Sequence, residues 1–229
     1  MNSIQRLEHK RQRAERAHAA GVDEKRKRRR WDSFTDWARS WAGVILTPVA
    51  HIVGRLGIHP NTITILGMLL QVGVGIIFGL GHIVLGGCLL LIVAPVDALD
   101  GALARALGEE SRFGSFLDST LDRLSDSALI IGLMVHYMNQ EAHLEVALLL
   151  VSMVAVMMVS YVRARSEALG VSCKVGILTR LERVVLIGAL SAVGLPGVMV
   201  WVLAVLSVFT VAQRFFHVYV AFRREDVGS

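Results

Sequence analysis

From residue 58 onward the chain alternates long apolar runs with short polar breaks. The runs predict six helices over roughly 61–80, 83–106, 113–139, 142–168, 181–194 and 198–222, most of them near the roughly 20 residues that cross a bilayer. The fifth run is short, and Leu195-Pro196-Gly197 after it marks a tight reversal. At the front, His59-Pro60-Asn61 breaks the chain and caps the first run. Upstream, residues 31–57 mix Trp31, Phe34, Trp37 and Trp41 with Asp32, Asp36, Arg39 and Arg55. That mixture suits an amphipathic helix lying at a membrane interface. The expected fold is an all-α integral membrane protein. A basic tail (1–30) and a juxtamembrane amphipathic helix (31–57) precede a domain of six transmembrane helices (58–229).

Composition agrees: 54% of the 229 residues are hydrophobic and 19% charged, which excludes an ordinary soluble domain. The tail carries the block Lys25-Arg26-Lys27-Arg28-Arg29-Arg30. No apolar core follows it closely, so it is not a signal peptide. It orients the protein or attracts anionic headgroups. Basic residues sit at segment ends with no aromatic platform beside them, an arrangement that does not fit nucleic-acid binding. Arg112, Lys174, Arg180, Arg223 and Arg224 all fall on one side of the expected topology. The opposite turns, near Gly81, Asn139–Glu145 and Pro196, hold no Lys or Arg. The asymmetry predicts a multi-pass cell-membrane protein with both termini and the chemistry facing the cytoplasm. Cys88 and Cys173 have no other cysteine nearby and build neither a disulfide framework nor a zinc site.

One stretch departs from this pattern. Residues 97–122 read DALDGALARALGEESRFGSFLDSTLD. Asp97 and Asp100, three apart, share one face of the second helix; Asp118 and Asp122, four apart, share one face of the third. The short connection Leu107–Gly114 lets the two pairs converge. Ionised carboxylates cost on the order of 2.5–3.5 kcal/mol each at the centre of a bilayer, and four together repel. A divalent cation answers both objections, and all-oxygen ligation suits Mg²⁺, with Mn²⁺ as a substitute. The blander reading pairs the aspartates with Arg105, Arg112 and Arg123, which leaves the matched spacing unexplained. Gly101, Ala104 and Gly114 lie between the charges; they allow close helix packing or the approach of a flat base. Arg105 offers a planar fork to a phosphoryl oxygen.

The string Asp97-x-x-Asp100-Gly101-x-x-Ala104-Arg105-x8-Gly114-x-x-x-Asp118-x-x-x-Asp122 resembles, position for position, the signature of the CDP-alcohol phosphatidyltransferases. The resemblance extends to the interfacial helix, the Pro60-Asn61-x-x-Thr64 opening and the helix count. It implies that Asp97, Asp100, Asp118 and Asp122 ligate the metal, with Asp122 also the general base. Asp100, Gly101, Ala104, Gly114 and Ser115 would border the CDP-lipid, Arg105 would hold its diphosphate, and Asn61 and Thr64 would lie near. It also implies a homodimer.

The acceptor is read from a second cluster. Arg163 and Arg165 end the fourth helix, and Arg180 and Arg183 open the fifth. Four guanidiniums beside a diphosphate site suggest a pocket for a second phosphate. The segments Tyr161-x-Arg163-Ala164-Arg165 and Arg180-Leu181-Glu182-Arg183 resemble those of prokaryotic enzymes that use inositol phosphate. Arg163 stands where Lys is frequent there, and Leu181 where Pro is common. Glycerol 3-phosphate and free inositol are the alternative acceptors. A membrane cation transporter or scaffold is the non-enzymatic alternative, and it predicts cation binding without CMP release.

Overall fold

The structure is a computed structural model that describes residues 59–108 and 111–228. The tail over 1–30 and the expected amphipathic helix over 31–57 therefore lie outside the described residues. Six helices follow one another: α1 (Pro60–Gly79), α2 (Ile83–Leu107), α3 (Arg112–Asn139), α4 (His143–Ala168), α5 (Arg180–Ala192) and α6 (Pro196–Gly228).

Their starts are dictated locally. Pro60 occupies the first turn of α1, where its missing N–H costs nothing. His59 caps that turn, its Nδ1 accepting from the Asn61 N–H at 3.2 Å. Ser111 caps α3, its Oγ accepting from the Gly114 N–H at 2.9 Å. Between α1 and α2 the chain reverses at Gly81, whose φ of +88° suits glycine.

The expectation of six transmembrane helices needs correction. By length and apolar composition, three helical stretches among the described residues suffice to cross a membrane: Pro60–Gly79, His143–Ala168 and Pro196–Arg224. The shortfall has a plain cause. Among the described residues α2 contributes the apolar stretch Ile83–Pro95, too short by itself to cross. Charges recur along α3 at Arg112, Asp118, Asp122, Arg123 and Asp126. The fifth helix has only 13 residues.

Packing is closest between α1 and α3, with α4–α6 and α2–α5 next. Two of these contacts are backbone to backbone. A Cβ placed on Gly75 would stand 2.5 Å from the Ala128 carbonyl oxygen, and one on Gly132 would overlap the Gly75 carbonyl. Gly87 approaches Gly188 in the same way, a Cβ there meeting the Gly188 oxygen at 2.7 Å. In lipid, where apolar side chains gain little by leaving their surroundings, such small-residue contacts drive helix association. Phe78, Leu90, Leu129, Leu133, Leu149 and Leu203 fill the interior, together with buried Gln71, Ser152 and Ser207. Leu69, Ile92, Val205, Phe215 and Phe216 point outward.

Between α4 and α5 the chain runs without helix from Val171 to Leu178 and is fastened to α6. His217 Nε2 lies 3.3 Å from the Ser172 carbonyl oxygen. The Arg214 Nε–H donates to the Val175 carbonyl at 2.9 Å, and the Leu178 N–H donates to Thr210 Oγ1 at 3.2 Å. Successive loop residues thus meet positions 217, 214 and 210, so the loop descends along α6. A second Arg214 N–H donates to the Val159 carbonyl at 2.7 Å, tying α4 to the same point. This descent explains the short α5: about 20 Å long against about 39 Å for α4 at 1.5 Å per residue, it starts well below the end of its neighbour.

Candidate active site

The first turns of α1 and α3 meet. A Cβ on Gly114 would lie 3.2 Å from Asn61 Oδ1 and 3.0 Å from Ser111 Oγ, so Asn61 and Gly114 are neighbours. Thr64, one turn along α1, donates its hydroxyl to the Pro60 carbonyl at 3.3 Å. Ser115 is exposed at the start of α3.

One turn further, Asp118 and Asp122 are both partly exposed. The hydroxyls around them are engaged with the helix itself: Ser119 and Thr120 donate to the Phe116 carbonyl at 2.9 and 2.8 Å, and Ser125 donates to the Leu121 carbonyl at 3.0 Å. Arg123 donates to the Ser119 carbonyl. None of these hydroxyls is paired with a base among the described residues.

Asp97, Asp100, Gly101, Ala104 and Arg105 lie on the second half of α2, and their side chains are outside the described residues. The α2 backbone keeps Asp97 and Asp100 at three-residue spacing on one helix. Among the described residues no group of three or more His, Cys, Asp or Glu side chains is placed to hold a metal ion.

The four arginines divide. Arg163 pairs with Glu167 on its own helix at 3.0 Å, both about half exposed, and Arg165 is exposed one residue beyond Ala164. Arg180 and Arg183 turn to α3. Arg180 Nη1 lies 3.1 Å from Asp122 Oδ1, while Arg183 Nη2 donates to Asp126 Oδ2, both side chains buried. The two rungs join helices that are not packed closely through their backbones. Thr179, the cap of α5, donates its hydroxyl to Glu182 and fixes the first turn that presents both arginines. Sequence reasoning missed Asp126. The signal was present, because Asp118, Asp122 and Asp126 continue one i,i+4 face.

Comparison with known proteins fits this geometry. An archaetidylinositol phosphate synthase of Pyrococcus horikoshii is 38% identical over 184 residues, covering 80% of this chain and 94% of that protein. A phosphatidylinositol phosphate synthase of Mycobacteroides abscessus is 40% identical over 181 residues, covering 74% and 81%. The crystal structure of the Mycobacterium tuberculosis phosphatidylinositol phosphate synthase with CDP-DAG bound superposes with a TM-score of 0.72 at 34% identity, covering 76% of this chain and 94% of that one. The same enzyme in complex with manganese and citrate gives the same score over 88% of its chain. Residues 57–212 match the profile of the CDP-alcohol phosphatidyltransferases; with the Asp97–Asp122 signature and these relatives, the chain belongs to that family.

Proposed function

We propose that the protein transfers a phosphatidyl group from CDP-diacylglycerol, or a related CDP-lipid, to inositol phosphate, releasing CMP and leaving phosphatidylinositol phosphate. The observation that carries the reading is the seating of Arg180, at the start of α5, against Asp122 of α3. It sets a phosphate-binding element of α5 beside the carboxylates of the family signature. The relatives named as inositol phosphate enzymes support the choice of acceptor.

The donor set fits a hard divalent cation such as Mg²⁺ or Mn²⁺. Asp118 and Asp122 are acceptor-only oxygen ligands one turn apart, with Asp97 and Asp100 completing the set by sequence. Asp122 sits 3.1 Å from a guanidinium, which supports the reading that its carboxylate takes a positive partner. When bound, the cation would neutralise the diphosphate and make CMP a better leaving group. The rest falls to the chain. Arg105 holds the diphosphate; Asn61, Thr64, Gly101, Ala104, Gly114 and Ser115 border the CDP-lipid. Asp122 accepts the proton as the acceptor hydroxyl forms its bond to the phosphorus bearing the lipid and the bond to CMP breaks. Transfer is direct, since the neighbouring hydroxyls of Ser119 and Ser125 are committed to helix carbonyls. Arg163, Arg165, Arg180 and Arg183 receive the acceptor's phosphate. The site faces the cytoplasm of the cell membrane.

The test is CMP release by purified protein with CDP-lipid and Mg²⁺, offered inositol phosphate, glycerol 3-phosphate, inositol and serine in parallel. Release with inositol phosphate alone is expected. Release with glycerol 3-phosphate instead would move the assignment within the family, and cation binding without CMP release in any arm would overturn it.

A further inference from the structure

Asp126 belongs to neither the family signature nor the arginine cluster, yet it is among the most buried charged groups in the molecule. Its residue is 4% exposed and that of Arg183 is 2% exposed. Both sit where α5 enters the bundle beneath the descending loop, one turn inward from the Asp122–Arg180 rung. A buried ion pair is a poor source of stability, because withdrawing two charges from water offsets most of their attraction. Its geometry is more informative. Arg183 has five N–H donors in one rigid plane. Asp126 takes the edge at Nη2, and the buried Nε–H has no acceptor among the described residues. One N–H of the guanidinium is held by a carboxylate from a different helix, and the Nε–H is left as an unmet donor.

We propose that Asp126 is a positioning residue for the acceptor: it fixes the plane of the Arg183 guanidinium so that the N–H donors it leaves unmet are presented to the acceptor's phosphate. The inference rests on the reading of Arg183 as an acceptor-phosphate ligand and adds what orients it. Asp126 contacts neither substrate; it acts through Arg183. The pair also contributes no net charge, so Asp126 tunes the direction of the donors and not the attraction of the phosphate. A phosphate monoester satisfies the waiting donor, whereas a hydroxyl-only polyol brings no anionic oxygen to it.

The experiment measures steady-state CMP release by the full-length protein while acceptor and CDP-lipid are varied separately, alongside thermal unfolding. Asp126→Asn keeps the shape and an acceptor oxygen but removes the charge that locks the fork. Its KM for inositol phosphate is expected to rise about tenfold or more, with the KM for CDP-lipid changed less than about twofold. Asp126→Glu restores the charge at a longer reach and is expected to recover part of the acceptor KM; it carries the test if the Asn variant does not fold. Parallel loss in both KM values and kcat, tracking a fall in melting temperature, would make Asp126 merely structural and overturn the proposal. Arg183→Gln separates the two layers. If it raises the acceptor KM and Asp126→Asn does not, the positioning role alone fails. If Arg183→Gln leaves the acceptor KM unchanged, the acceptor assignment fails with it.

Discussion

Replacing Gly75 by alanine tests whether the α1–α3 contact places the two halves of the site. The added Cβ would sit 2.5 Å from the Ala128 carbonyl oxygen and 2.9 Å from its carbon, half an ångström inside the 3.0 Å that real Cβ atoms keep. Neither atom is the end of a flexible side chain, so the helices must part. Overpacking of this kind costs about 1–3 kcal/mol. At roughly 2–4 °C per kcal/mol for a chain of this size, the melting temperature drops by several degrees. Gly132→Ala is worse, since its Cβ overlaps the Gly75 carbonyl outright. Gly73→Ala supplies the control: nothing lies within 4 Å of its Cβ, and replacing glycine in a helix gains up to about 1 kcal/mol. Activity should follow the same ranking. The first helix carries Asn61 and the third carries Asp118 and Asp122, and a misplacement of about 1 Å costs on the order of 100-fold in rate. Thermal unfolding in detergent and CMP release check both. A Gly73→Ala variant as damaged as Gly132→Ala, or a Gly132→Ala variant indistinguishable from wild type, refutes the reasoning.

Asp122→Asn is expected to lower CMP release by about 100- to 10,000-fold while CDP-lipid binding, followed by calorimetry, largely persists; near-normal turnover would remove Asp122 as the base. Chelation with EDTA should abolish turnover and Mg²⁺ or Mn²⁺ restore it, whereas Ca²⁺, larger and less demanding in geometry, should restore less. Arg214→Met removes two charge-assisted hydrogen bonds to the Val159 and Val175 carbonyls, each worth about 1.5–3 kcal/mol. Limited proteolysis should then cut within Val171–Leu178 faster than in the wild type.

Helix positions were legible in the sequence because each begins or ends on a residue with a mechanical reason. Pro60, Ser111 and Pro196 mark starts, and the six helices fall within a few residues of their expected bounds except at the end of α6, which continues to Gly228. The membrane count was not legible from apolar runs alone. The five charges from Arg112 to Asp126 turn the apolar-looking α3 into a helix below the hydropathy of a span. In the site, the i,i+4 spacing of Asp118 and Asp122 announced their shared face. The arginines were harder. Their order along the chain did not reveal that the loop fastened by Thr210 and Arg214 brings Arg180 and Arg183 to Asp122 and Asp126 of α3. No local pattern encodes that descent, since its partners stand 32 and 39 residues away.

The fastening of that loop has a consequence for what may attack the lipid phosphate. Positions 217 to 210 of α6 span about 10 Å at 1.5 Å per residue, so the entry of α5 is sunk by about that depth below the point where the loop first touches α6. On the proposed reading of Arg183, an acceptor phosphate would exchange its hydration for fixed donors at that depth. Transfer to an alcohol would then be favoured over hydrolysis of the activated donor by how far the chain lowers one short helix.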